Sequence, residues 1–388
     1  MIPRERVIKA IEHEEPDRVP MSFWSTKEAY ENIKNYLNYK DVEENILWAS
    51  DKAFYISKKL IKRLNLDIVQ IHLPPPIDYK PKTWPDGSFE GPTGFRTKKF
   101  GLYYEFTVYP TLSDIEDVSD LEDKFYERNK RQLYLFDPNA PRDIKPVVKQ
   151  AKELYEEGYA LSTFSCLFGM VEAPWYYRGM KNWFIDLVKR PKLARKMIEL
   201  VSKVVIEYDK FVIDTLGDYL TEIIGGGDVA TQYSMQYSPK LFREYFEEVE
   251  RSYVNTIKKK APHIKLCWHG CGAMRPVIND IIEWGYDILN PIQPYAGINT
   301  PFNMDPASLK EEYGDRICFE GAIDIQRVLP FGSIKDVEEE VKKRIKQLAP
   351  GGGYILAPSH NFQADTSGEK IVAVYDYAMK YGKYPIKI

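Results

Sequence analysis

Short apolar runs alternate with longer segments of helical period along most of this chain, and that alternation constrains the fold more than any other feature. The runs fall at 19–23 (VPMSF), 67–72 (DIVQIH), 160–164 (ALSTF), 220–224 (LTEII), 264–268 (IKLCW), 286–290 (YDILN), 317–320 (ICFE) and 354–358 (YILAP). Helical periodicity occupies most of the intervals, including 191–216, 239–260, 274–284, 334–348 and 369–381. Parallel strands need a crossover between neighbours, and helices supply it. Eight such repeats favour an α/β chain closed into a (β/α)8 TIM barrel over an open doubly wound sheet. No GxGxxG or GxxxxGK(S/T) follows any run, and the GGG triplets at 225–227 and 351–353 match no phosphate-loop spacing.

The alternation stops between about residues 75 and 140, where Pro, Gly, Tyr and charge dominate. The stretch FEGPTGFRTKKFGLYYEFTVYP reads as a hairpin. Trp84, Phe89, Tyr103 and Tyr104 give it apolar material, so an ordered lid inserted after the second strand is expected. The remainder is expected to form one barrel domain over 1–388. A net charge of −3 leaves no footprint for nucleic acid, and no basic run suggests a membrane surface. The opening MIPRERVIKAIEHEEPDRVP lacks the apolar stretch of a signal peptide, and no uncharged apolar run approaches the roughly 18 residues of a membrane span. Four Cys in 388 residues make no disulfide framework. A reduced, soluble, cytoplasmic protein is expected.

Active sites of such barrels are built where the strands end, so the residues just past each run are the candidates. The fourth run leads into GGGDVATQ, with Asp228, Thr231 and Gln232. The fifth enters CWHGCG, with His269 and Cys271; the sixth ends at Asn290, with Gln293 three positions on. Glu320 ends the seventh, with Asp324 just beyond, and Ser359, His360 and Asn361 come after the eighth. His269 and Cys271 are two apart, so on an extended segment both face one side. Imidazole with thiolate suits Zn²⁺, and His360 is the candidate third ligand. Cys267 shares their parity but sits one layer deeper and reads as core. His13, His72 and His263 read as structural or solvated.

MIPRERVIKAIEHEEPDRVP resembles the opening of the uroporphyrinogen decarboxylase superfamily. KLCWHGCGAMRPVINDIIEWGYDILNPIQP, DPASLKEEYGDRICFEGAIDIQRVLPFG and LAPGGGYILAPSHNFQAD are similar to its C-terminal half. The likeness covers the first twenty or so residues and most of 219–385, and it implies a (β/α)8 barrel. True uroporphyrinogen decarboxylases carry an RQAGRYLPE-like segment after the first strand, whose arginines grip the substrate's carboxylates. The corresponding stretch here, FWSTKEAYENIKNYL, has no Arg, so that activity is not expected.

The superfamily's other branch comprises zinc-containing methyltransferases of corrinoid-dependent systems, in which an H-x-C motif and a later Cys bind zinc. His269 and Cys271 match the first two ligands, while the later Cys is replaced by His360 in APSHN. The resemblance implies methyl transfer between a small methylated substrate (an ether, thiol or amine) and a corrinoid. No DxHxxG segment is present, so the cobalamin is expected on a separate partner protein. On this reading Asp228 and Glu320 are catalytic, Glu320 as a resting fourth ligand or a proton donor. Gln232, Asn290, Gln293, Asp324 and Asn361 would orient the substrate or the ligating His, with Asp324 alternatively capping the helix near 325. A homodimer is open. The rival readings are a metal-free decarboxylase of another carboxylated substrate, using Asp228 and His360, and a non-catalytic binding protein on the same barrel.

Overall fold

The computed structural model describes residues 1–39, 56–91, 93–106 and 110–388. Its strands are β1 (Ile68–Gln70), β2 (Phe89–Glu90), β3 (Arg96–Phe100), β4 (Tyr103–Phe106), β5 (Ala160–Phe164), β6 (Leu220–Gly226), β7 (Lys265–His269), β8 (Ile288–Ile292), β9 (Cys318–Ile323) and β10 (Tyr354–Pro358). Seven of them form one parallel sheet in the order β1-β5-β6-β7-β8-β9-β10. β8, β9 and β10 are buried along their whole length, as strands covered on both faces must be. The helices Pro191–Leu216, Pro239–Lys260 and Ile334–Leu348 match the expected bounds. Ser238 and Ser333 cap the last two, each accepting a backbone N–H of the first turn.

The expected first strand, 19–23, is not a ladder strand. Pro20 has no N–H to give, and the Met21 N–H goes to the Asp67 side chain (2.8 Å) instead of to a carbonyl. The segment still closes the ring. Leu356 N–H donates to Pro20 O (2.9 Å), Ser22 N–H to Leu356 O (3.0 Å) and Asp67 N–H to Met21 O (2.9 Å), joining β10 to β1. Asp67 is fully buried and pairs with Arg6 (2.5 Å) and Arg18 (2.7 Å), which compensates its lost hydration.

Inside the barrel, Ile68, Ala160, Ile224, Cys267, Ile288, Cys318, Ile355 and Ala357 form a cluster separate from the larger core under the helices. Val7 and Ile11 of the helix Pro3–Ile11 join it. That helix is tied to the residues just before β5 and β10 by Arg4 N–H to Gly158 O and Gly353 N–H to Ala10 O. It therefore stoppers the end of the barrel where strands begin, leaving the other end as the mouth.

The excursion is a three-stranded antiparallel sheet, β2-β3-β4, where a hairpin was expected, and the helices Val118–Arg128 and Lys130–Leu135 come after it. Phe95 and Phe125 pack edge-on against Tyr177, anchoring the excursion to the helix Gly169–Arg178. Trp84 lies under the Arg96 guanidinium (4.5 Å). The side chains of Tyr103 and Tyr104 lie outside the described residues. No described helix is long and apolar enough to cross a membrane.

Candidate active site

The triple glycine that ends β6 lets two strand ends come unusually close. Gly226 has φ +96°, and a Cβ there would stand 2.8 Å from His269 O. Gly227 N–H then donates to that same carbonyl (2.8 Å), fixing the last residue of β7. His269 Nδ1 lies 2.7 Å from Asn290 Oδ1, which accepts, so Nδ1 is the donor and Nε2 is the nitrogen left for a ligand. Trp24 stacks on the imidazole (5.6 Å between centroids, 13° between planes). Its indole N–H donates to Glu320 Oε1 (3.0 Å) and Ser22 Oγ (3.1 Å).

The turn after β7 is held by side chains from its neighbours. Cys271 N–H donates to Asp228 Oδ1 (2.6 Å) and Gly272 N–H to Gln293 Oε1 (2.9 Å). Gln232 donates to the same Gln293 oxygen (2.5 Å), and the Gln293 amide reaches Ser359 O (3.4 Å). Loops at the ends of four strands are thereby locked together. His269, Cys271 and His360, all half-buried, bring one donor atom each to within 4.8 Å of one another. Two imidazoles and one thiol match the ligand chemistry of Zn²⁺.

Beside this trio opens a cavity of about 200 Å³. Asp228 and Asn361 line it, and Asn361 Oδ1 is buried with no hydrogen-bond partner among the described residues. The excursion and its approach contribute an apolar side through Pro74, Pro75 and Phe136.

Three wall residues were not anticipated. His72, expected to be structural or solvated, stacks on Phe164 (5.7 Å, 22°) in the cavity wall, with Nδ1 3.2 Å from Thr163 Oγ1. Burial holds its imidazole down to about 4, so it is neutral at neutral pH. Its place at the end of the second apolar run was the available signal; the proline run behind it turns along the cavity wall instead of leading away. Glu172 accepts from Asp228 N–H (2.6 Å) and Tyr176 O–H (2.8 Å), and so holds the loop that bears Asp228. Trp24 has no local signal of this kind.

Gln232, Asn290 and Gln293 brace His269 and the loops without lining the cavity, and two further candidates stand away from it. Glu320 does not line the cavity; it is 1% exposed, inside the barrel behind Trp24. The apolar run ends at Glu320, but β9 continues through small residues to Ile323, so Glu320 is mid-strand. Asp324 accepts from Gln326 N–H (2.9 Å) and Val328 N–H (3.1 Å), which occupies its carboxylate at the start of the helix Val328–Phe331.

The family model for uroporphyrinogen decarboxylase (URO-D) matches residues 123–381. The uroporphyrinogen decarboxylases of Chlorobaculum tepidum and Chlorobium phaeobacteroides are 21% and 20% identical over 209 and 205 residues, 51% of this chain in each case. The chain spans about half the length of these curated relatives, 53% of each. A methyltransferase from Methanosarcina mazei shares the fold, with a TM-score of 0.64 across 98% of this chain and 99% of that one at 15% identity. With the family model covering well over half of its residues, the chain belongs to the uroporphyrinogen decarboxylase family.

Proposed function

We propose that this protein is a zinc-dependent methyltransferase that moves a methyl group between a small methylated ether, thiol or amine and a corrinoid carried by a separate protein. The convergence of His269, Cys271 and His360 beside the cavity carries this reading. The similarity in fold to a methyltransferase from Methanosarcina mazei accords with it. Zn²⁺ at such a site supplies Lewis acidity, which stabilises a thiolate or polarises the heteroatom that bears the methyl group.

The chain's own groups do the rest. Asn290 fixes the His269 tautomer so that Nε2 is available as a ligand. Asp228, held by Glu172, sets the turn that presents Cys271. Asn361 Oδ1 offers an acceptor to the substrate. Trp24, Phe164 and Phe136 keep water from the reacting atoms. In the demethylating direction the methyl group leaves its heteroatom, which keeps the bonding pair and takes up a proton.

Zinc content of the parent and of a His269→Ala, Cys271→Ala variant tests the site. Methylation of reduced cobalamin, with methylated ethers, thiols and amines as donors, tests the reaction. Near-stoichiometric zinc lost in the variant, with methylcobalamin formed only by the parent, is expected. A parent that takes up no zinc when supplied with it would sink the proposal. Membership of the URO-D family favours one second reading, metal-free decarboxylation of a carboxylated substrate through Asp228 and His360. Release of CO2 by metal-free protein would select it.

A further inference from the structure

Beneath the mouth, the barrel interior holds a second group of side chains that methyl transfer does not use. Glu222 of β6, Cys267 of β7 and Glu320 of β9 are 2%, 0% and 1% exposed. One donor atom from each lies within 4.8 Å of the others. Their surroundings are apolar, with Ile68, Ile224, Ile288 and Ile355 facing the same interior. Two carboxyl groups in such a place carry a desolvation cost that only protons, hydrogen bonds or a cation offset.

Hydrogen bonds answer part of it. The Glu320 carboxyl has Trp24, Ser22 and Asn290 about it and the Cys267 thiol faces Glu222, but the individual oxygens Glu320 Oε2 and Glu222 Oε1 are buried with no hydrogen-bond partner among the described residues. The same holds for the hydroxyl of Ser162, which stands in register with Glu222 on the adjacent strand. Folded interiors leave few polar atoms unanswered, and three beside one another are what a bound water or ion would satisfy.

We propose that Glu222, Cys267 and Glu320 form a second metal site, buried within the barrel, that takes a divalent transition ion of the zinc type. The sulfur donor selects such an ion over Mg²⁺ or Ca²⁺, which prefer oxygen alone. Donor atoms around one Zn²⁺ stand roughly 3.5 Å apart, judging from its bond lengths, so small side-chain rotations close the three onto an ion. The Cys267 thiol proton, and any proton on the carboxyl groups, leave to solvent as the ion enters. The bound ion would fix Glu320 and, through Trp24, the ring that lies on His269. This site stands independently of the methyl-transfer reading.

The test leaves the interior untouched at first. A His269→Ala, Cys271→Ala, His360→Ala protein is reconstituted with Co²⁺, and metal content and absorption are measured. One Co²⁺ per chain with a thiolate-to-cobalt charge-transfer band is expected, the band vanishing when Cys267→Ser is added. Binding of no ion, or of an ion without the thiolate band, overturns the proposal. Should the triple variant fail to fold, the parent's stoichiometry decides with Cys267→Ser alone: two ions per chain falling to one supports the interior site, and an unchanged count overturns it. An ion retained by the triple variant while the parent also holds only one would support the interior site and count against the mouth.

Discussion

The mouth and the interior of the barrel each gather three metal-capable donors within 4.8 Å, and each draws a cysteine from the same short stretch, Cys271 above and Cys267 below. Their surroundings differ. At the mouth the donors are half-buried and backed by neighbours, Asn290 behind His269 and Asp228 behind the Cys271 amide. In the interior all three are buried, and burial pushes the Cys267 thiol and the Glu222 carboxyl well up from their ordinary values. An open, braced donor set suits exchange of substrate; a closed one suits an ion that stays. Proximity of donors alone does not separate these roles, but solvent access and outer hydrogen bonds do.

Substitutions can break the contrast, and the largest effect is expected at Cys271. Cys271→Ala should weaken zinc binding at the mouth by more than about a hundredfold, beyond what loss of an outer partner costs. Chelator competition measures it, and equal losses from Cys271→Ala and Cys267→Ala would mean one site, not two. Asn290→Ala comes next, with an expected loss of about 10–100-fold in zinc affinity. A variant that keeps parental affinity would show that the His269 tautomer needs no support. Trp24→Phe, which keeps a ring over His269 but removes the donor to Glu320, should cost about 1–3 kcal/mol of stability in urea unfolding. No loss would show that the Glu320 carboxyl is answered in another way.

The smallest effect at neutral pH is at His72, and it is invisible there. Its imidazole titrates at about 4 in the fold against 6.5 in the unfolded chain, so between these values the unfolded chain binds more protons. Stability should fall as pH drops from 6.5 through about 4 and be flat in this respect above it. His72→Phe should flatten that limb in thermal melts of metal-free protein; an unaltered slope would place the titration elsewhere.

Much of the architecture is legible from local pattern, because the strands of the parallel sheet are largely buried on both faces and their apolar runs are therefore nearly continuous. The exception at 19–23 has a local part and a long-range one: Pro20 lacks an N–H, and Asp67, far along the chain, captures that of Met21. Inspecting the polar residues just past each strand brings His269, Cys271 and His360 together, since strand ends share one rim by construction. Glu320 is misplaced by the same method, because glycine and alanine conceal the last residues of β9. Glu222 escapes notice because a single acid within an apolar run reads as an outward residue. Trp24 and Glu172 act through partners far along the chain, and spacing carries no information about such pairs.

Pro74, Pro75 and Phe136 shape one side of the cavity from the stretch that interrupts the barrel, whereas the donor atoms come from the barrel's own strand ends. Part of the fit is thus written on a length of polypeptide that carries none of the donors. Revision of the interruption can reshape that side of the cavity, and the chemistry can persist while the clientele changes.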